Sequence, residues 1–297
     1  MNRSSFLKHL ALLSAGTALL PRLKVIQNSP FTELRNGIGT FSMRGGTIGW
    51  MARPGFTVVV DSQYSDTALD FLDGIQRFEG GPETVLINSH HHGDHVSGNG
   101  VFRDAGYRIL AHEQVPHLQR RGADEPDDVV AAEETFSDTM ELDAGDETVL
   151  LKYYGNAHTG GDTVTWFQNA NIAHMGDLVF NRLYPFIDRD GGASISGWIN
   201  LLENVADEGD SDTVYIFGHG NPEFGVTGGR TGLLHMRDFL TKVLEHTAQG
   251  LDAGRSREEI TQVTSFDEFP DFISPSDFLS LPRNLDVAYR ELTEENG

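Results

Sequence analysis

Four histidines and one aspartate fall within seven residues, Ser89-His90-His91-His92-Gly93-Asp94-His95. Thr84-Val85-Leu86-Ile87-Asn88 precedes them, an apolar, β-branched run whose pattern predicts a buried strand. Gly93 and Ser97-Gly98-Asn99-Gly100 mark loop and turn. The cluster therefore sits where a buried strand ends, and a rigid strand end can aim several short side chains at one point. His90 and His92, two apart in extended chain, project to the same side, whereas His91 alternates away, to pack or to support a neighbour. Past Gly93 the chain can return Asp94 and His95 toward that point. Imidazoles and a carboxylate converging there suit zinc or a similar divalent metal.

His-x-His-x-Asp-His resembles the signature of the metallo-β-lactamase superfamily, and the rest of the chain carries the further motifs of that family in order. Gly155-Asn156-Ala157-His158-Thr159-Gly160-Gly161-Asp162 is similar to its lone His in a glycine-rich turn. Met175-Gly176-Asp177-Leu178-Val179-Phe180 is similar to its Gly-Asp-x-x-Phe, and Val214-Tyr215-Ile216-Phe217-Gly218-His219-Gly220 to its last strand-end His. The resemblance covers roughly residues 35 to 225. It implies an α/β fold, the four-layer αββα sandwich of this superfamily. It implies His90, His92 and His158 on one metal, Asp94, His95 and His219 on a second, and Asp177 bridging both. The implied cofactors are two divalent ions, zinc first, with iron or manganese admitted by the oxygen bridge. The implied activity is hydrolysis of an ester, lactone, thioester or β-lactam carbonyl by a metal-bound hydroxide, with Asp94 as the catalytic carboxylate. Asp61, at the end of the buried strand Thr57–Asp61, is expected to support the metal loop.

Two rivals share the fold. A persulfide dioxygenase needs one iron on His90, His158 and Asp177 and leaves the other donors spare. A non-catalytic metal-binding protein would need none of the chemistry. Flavodiiron proteins replace the second His by Glu and add a flavodoxin domain, which this chain does not match. The substrate is a small molecule whose identity the sequence leaves open. Arg182 and Arg189 follow Asp177 and could anchor a carboxylate, or pair with nearby acids. Tyr184 could replace the hydroxyl that lactonases place where Phe180 stands here. Arg230, Arg237, Lys242, Arg255 and Arg257 lie in an acidic C-terminal region without a glutathione-binding pattern.

The 297 residues are long enough to bury a large core. There are no cysteines, which excludes disulfides, Cys-ligated zinc and a Cys nucleophile. The formal charge of −22 repels phosphate backbones, so nucleic acid is not an expected partner. Lys8, Lys24, Lys152 and Lys242 are the only lysines among 22 basic residues. A high-salt habitat or an ordinary acidic surface fits that balance.

The remaining patterns position these residues. Residues 1–24 combine Arg3, Lys8 and an apolar run from Leu10 to Leu20 before Pro21, similar to an export signal with a degenerate twin-arginine motif. The expected location is periplasmic or secreted, and cytoplasmic if that segment is retained. The run is too short to span a bilayer. Residues 25–297 are expected to form one domain with a helical tail, its oligomeric state open. Strands are expected at 38–43, 46–52, 57–61, 84–88, 107–111, 148–154, 163–167 and 172–175. Helices are expected at 65–78 with a Ser cap, 113–119, 194–205, 227–246 and 284–292, and an exposed acidic loop or irregular helix at 121–138. His9, His112, His117, His174, His235 and His246 have no motif around them and are expected to be surface or packed histidines.

Overall fold

The computed structural model describes residues 29–294; the export-like segment 1–24 and His9 lie outside them. The described residues begin with four antiparallel-paired strands, β1 (Phe31–Arg35), β2 (Ile38–Phe41), β3 (Ile48–Arg53) and β4 (Phe56–Val60). Helix α1 (Ser65–Ile75) crosses to β5 (Glu83–Asn88), parallel to β4. Short helices α2 (Gly93–Val96) and α3 (Asn99–Asp104) lead to β6 (Arg108–His112), α4 (Gln114–Arg121) and β7 (Glu134–Phe136), which complete a seven-stranded sheet in sequence order. A second sheet runs β15-β13-β11-β10-β9-β8, from β8 (Thr139–Asp143), β9 (Thr148–Tyr153), β10 (Thr163–Phe167), β11 (Ile172–His174), β13 (Val214–Ile216) and β15 (Thr227–Gly228). Between its strands lie β12 (Phe180–Asn181), α5 (Ile195–Glu208) and β14 (His219–Gly220), with β12 and β14 paired on their own. Helices α6 (Arg230–Asp252), α7 (Arg257–Thr261) and α8 (Leu281–Glu294) follow.

Strand alternation builds the layers, because successive side chains point to opposite faces. In β4 and β5, Val59 and Leu86 face Phe71 of α1 and Phe102 of α3. Val58, Val60, Val85 and Ile87 face the other way, against Val149, Leu151, Phe167 and Ile172 of the second sheet. The outer face of that sheet, with Val164 and Tyr215, packs on Trp198 and Leu202 of α5 and on Leu233 and Phe239 of α6. Helices, sheet, sheet and helices therefore stack as the expected αββα sandwich. Among the described residues, no helix is long and apolar enough to cross a membrane.

Several local expectations shift. β1 and β7 were not foreseen; each is short and shows little alternation. Segment 121–138, expected as an exposed loop or irregular helix, contains a 3-10 turn at Pro126–Asp128 and also β7. Ser65 is the first helical residue, and its hydroxyl donates to Ser97 O instead of capping. Phe266, Phe269 and Phe272, between α7 and α8, are buried around Phe239 of α6.

Candidate metal centre

The parallel strands β4 and β5 end at the same edge of the first sheet, and β11 and β13 end together in the second. Side chains needed in one place tend to come from such carboxyl ends. Asp61 follows β4, the His90–His95 loop follows β5, Asp177 follows β11 and His219 follows β13. His158 comes from the turn between β9 and β10. The close approach of these strand ends requires small residues: a Cβ on Gly218 would lie 2.0 Å from Asp177 Oδ1, and one on Gly46 2.1 Å from the His95 ring. Neither glycine was singled out from sequence, because the contacts are long-range.

The seven candidate donors come together as two groups. In the first, His92 Nδ1 lies 3.0 Å from both His90 Nε2 and His158 Nε2. The opposite nitrogens are tied outward. His158 Nδ1 donates to Phe186 O at 2.8 Å. His90 Nδ1 meets Ser89 Oγ at 3.0 Å, and the Ser89 proton is committed to Asp61 Oδ2 at 2.7 Å. His92 Nε2 lies 3.1 Å from Asp188 Oδ2. These partners set the tautomers, so three lone pairs face one another. Such an array repels itself unless a cation lies among the nitrogens; zinc–nitrogen bonds of ~2.0–2.1 Å would place tetrahedral ligands roughly 3.3 Å apart. Burial, aided by the neighbouring His95 and His92 charges, lowers His90 well below the usual imidazole range. Burial and His92 bring His158 down to about 3. Both rings are thus held in the neutral form that binds metal.

In the second group, His219 Nε2 is 3.1 Å from Asp94 Oδ2, and His95 Nε2 is 3.7 Å from the same oxygen. Asp177 stands between the groups. Its Oδ1 is 3.0 Å from His95 Nε2, and its Oδ2 is 3.4, 3.7 and 3.8 Å from His219, His158 and His90. His95 Nε2 and Asp177 Oδ1 are buried and, despite their separation, make no hydrogen bond. Two unpartnered polar atoms side by side in a dry site are costly; a bound cation would satisfy both. Burial opposes charge on Asp177, but His219 and His95 outweigh it and hold the carboxyl well below its ordinary range. Burial likewise opposes protonation of His219, and Asp177 outweighs it, raising the ring to about 9. His95 is raised by Asp177, Asp94 and Asp61 against the same penalty. The all-nitrogen-and-oxygen donor set fits divalent metals.

Asp61 lies beneath the His90–His95 loop. It accepts from Ser89 N–H at 2.7 Å and from His95 Nδ1 at 2.7 Å. His91 lies outside the two donor groups but beside His92, its ring centroid 4.5 Å from that of His92 and its Nε2 3.3 Å from Asp188 Oδ2. Asp188 thus serves both His91 and His92, and Gly191 N–H donates to its other oxygen at 2.8 Å. Nothing local in the sequence marks Asp188, which is 96 residues from His92.

The surroundings answer the open questions of anchoring. Tyr184 does not supply a hydroxyl to the site: its ring packs on Phe239 and Phe272, and its Oη meets Thr264 O at 3.4 Å. Arg182 pairs with Asp271 at 2.8 Å and Arg189 with Glu294 at 3.5 Å, as acid partners rather than free anchors. Arg230, Arg237, Lys242 and Arg257 are likewise paired with Asp207, Glu203, Glu268 and Asp286. Aromatic rings flank the donors. Phe180 stacks on His219 at 5.3 Å, and Phe186 lies 5.2 Å from the His92 ring and carries the exposed Phe278 at 4.8 Å. His174 is buried with Nε2 3.0 Å from Thr47 O, and His112 stacks on Tyr153 at 3.9 Å, as packed histidines should.

The sequence profile of the metallo-beta-lactamase superfamily matches residues 43–219. A metallo-beta-lactamase type 2 from Bacteroides fragilis is 20% identical over 238 residues, 76% of this chain and 91% of that protein. The metallo-beta-lactamase from Hirschia baltica superposes with a TM-score of 0.59 at 17% identity, over 71% of this chain and 96% of its own. The stereoselective inverting sec-alkylsulfatase Pisa1 from Pseudomonas sp. superposes with a TM-score of 0.66 at 14% identity, over 88% of this chain. This chain spans about half the length of that sulfatase, 49%. At these identities the structural likenesses speak for the fold alone. With its profile match over more than half its length, the chain belongs to the metallo-beta-lactamase superfamily and is a metallo-hydrolase of that fold.

Proposed function

We propose that this protein hydrolyses the carbonyl of an ester, lactone, thioester or β-lactam in a small-molecule substrate, using two divalent metal ions. The observation that carries the reading is the place of Asp177 within 3.0–3.8 Å of imidazoles from both donor groups. His90, His92 and His158 would hold one ion, Asp94, His95 and His219 the other, and Asp177 both. When bound, such a pair lowers the pKa of water toward neutrality and polarises the scissile carbonyl. The chain's own groups do the rest. Asp94, partly exposed and with Oδ2 3.1 Å from His219, would orient the attacking water and pass a proton to the leaving group. Asp188 holds His92 in its tautomer, and Asp61 does so for His95. Phe180 stacks on the ring of His219, and Phe186 lies edge-on to that of His158.

The test is metal analysis of protein purified without added metal, together with hydrolysis of an ester, a lactone, a thioester, a cephalosporin and a secondary alkyl sulfate. About two ions per chain with turnover of one of the carbonyl substrates supports the reading. One iron per chain with oxygen uptake on a persulfide would replace it with the dioxygenase, and two ions with turnover of the sulfate alone would move the substrate to sulfate esters. We further propose export, on the basis of Arg3, Lys8 and the Leu10–Leu20 run; natural protein found in the cytoplasm with Met1 intact would refute it.

A further inference from the structure

A cavity of about 580 Å³ opens beside His92 and Gly93. That is within the range of small-molecule sites, roughly 300–1,000 Å³. Its near wall continues from the metal loop into Val96 of α2. Its far wall is Leu118 and Gln119 at the end of α4, followed by Ala123, Val129 and Val130 of the next segment. It meets the first donor group at His92, and Val96, Leu118, Val129 and Val130 give it apolar walls.

The polar inventory of the cavity is short. Among the described residues no lysine or arginine lines it and its one carboxylate is the exposed Asp128; its other polar lining is His91, whose buried Nδ1 has no partner, His92, Ser97, Asn99 and Gln119. Asn99 is fully engaged: its amide nitrogen donates to Asn88 and to Val130 O, and its oxygen accepts from Ser62 and Asn88. Gln119 differs. It is buried, its Oε1 has no partner, and its carboxamide hydrogen-bonds to no described residue. Buried carboxamides are ordinarily paired. A Gln side chain can present either a donor or an acceptor by turning its amide, so it suits a neutral polar atom of either kind. An anionic group placed here would meet no cation, face Asp128, and sit on a chain of net charge −22; that arrangement selects against anions.

We infer that this cavity is the substrate subsite for an uncharged, mainly apolar acyl group, with Gln119 supplying a hydrogen bond to it. The inference rests on the hydrolase reading and narrows it to neutral substrates. Metal-loaded enzyme is assayed on p-nitrophenyl acetate, hexanoate, 6-hydroxyhexanoate and the monoester of adipate, which matches the hexanoate in reach but ends in a carboxylate. The hexanoate should exceed the adipate monoester in kcat/KM by at least about tenfold. Ala123→Phe, at a half-exposed position outside the core, should cut kcat/KM for the hexanoate by about tenfold and leave the acetate within about twofold. Gln119→Leu should raise KM for the hydroxyhexanoate several-fold with kcat unchanged, and leave the hexanoate unaffected. Equal or better turnover of the adipate monoester, or equal loss on acetate and hexanoate in Ala123→Phe, overturns the subsite. If the wild type turns over none of these esters and none of the lactone, thioester and cephalosporin substrates, the hydrolase reading fails instead. The cavity is then decided by calorimetry with hexanamide: binding lost in Ala123→Phe supports it, and binding unchanged refutes it.

Discussion

Asp61 Oδ2 lies 2.7 Å from His95 Nδ1, and both side chains are fully buried. The same carboxylate accepts the N–H and hydroxyl of Ser89, which in turn accepts from His90. One anion therefore orients a ring of each donor group. Asp61 adopts φ 69°, a left-handed conformation costly for a residue with a Cβ and tolerated where the surroundings over-determine it. Asp61→Asn should leave the fold intact but turn an N–H toward one of three donors. Loss of an outer partner of this kind typically costs 10–100-fold in metal affinity or activity. Metal titration of the variant checks this; wild-type affinity at both sites would remove Asp61 from the network.

His92→Ala should abolish hydrolysis and sharply lower metal content. His92 Nδ1 is the atom that both other imidazoles of its group approach at 3.0 Å. Elemental analysis and turnover on one preparation decide the matter, and full metal content with normal turnover would break the ligand assignment.

His91→Ala, one residue away, should keep metal stoichiometry. Its ring reaches Asp188 rather than the donors, and Asp188 retains His92 without it. Asp188→Asn is expected to be the more damaging change, because the carboxylate that fixes His92 loses its charge. Loss of a whole metal equivalent in His91→Ala would mean that His91 is itself a ligand.

The donors were legible because each sits in a local motif at the end of a recognisable strand. His90, His92, Asp94 and His95 share one loop, and the alternation of Val58, Val59 and Val60 already encodes the two faces of the first sheet. Asp61 was legible for the same reason, as a carboxylate ending an apolar run. Asp188, Gly46 and Gly218 were not, since what makes them necessary is a neighbour far away in sequence. Phe266, Phe269 and Phe272 follow no helical or strand period, so their burial against Phe239 could not be read either. Tyr184 was offered as a site hydroxyl on sequence proximity to Asp177, and packing overrides proximity.

Metal-free protein should lose stability as the solution becomes alkaline. His219 is raised to about 9 when folded, chiefly by Asp177 against the cost of burial, from about 6.5 in an unfolded chain. A group with a raised folded pKa contributes stability that is full below the unfolded value and disappears as pH rises through the folded one. The melting temperature of the metal-free protein should therefore fall between about pH 6.5 and 9, and His219→Gln should flatten that slope. A flat wild-type profile over this window would refute the pairing. Metal-loaded protein should lack the slope, because the ion takes the place of the proton.

Asp177→Asn tests the bridge itself. The substitution keeps shape and removes charge, so it separates the electrostatic role from packing. The first donor group retains three imidazoles, which suffice for a zinc site with an open position. The second retains only Asp94, His95 and His219 and loses the carboxylate that lies 3.0 Å from His95 and 3.4 Å from His219. Like charges a few Å apart repel by about 4 kcal/mol per unit pair at an effective dielectric of 20, and four times that for two dications. Without Asp177 that repulsion is uncompensated, so the second ion should be the one lost. The expected outcome is about one metal per chain and activity lower by on the order of 10²-fold or more, since activation of the attacking water by the ion pair is what the proposal requires. Metal content and hydrolysis are measured on the same sample. Two tightly held ions in the variant would show that Asp177 does not bridge, whereas full activity with one ion would make the second site dispensable and favour a mononuclear mechanism.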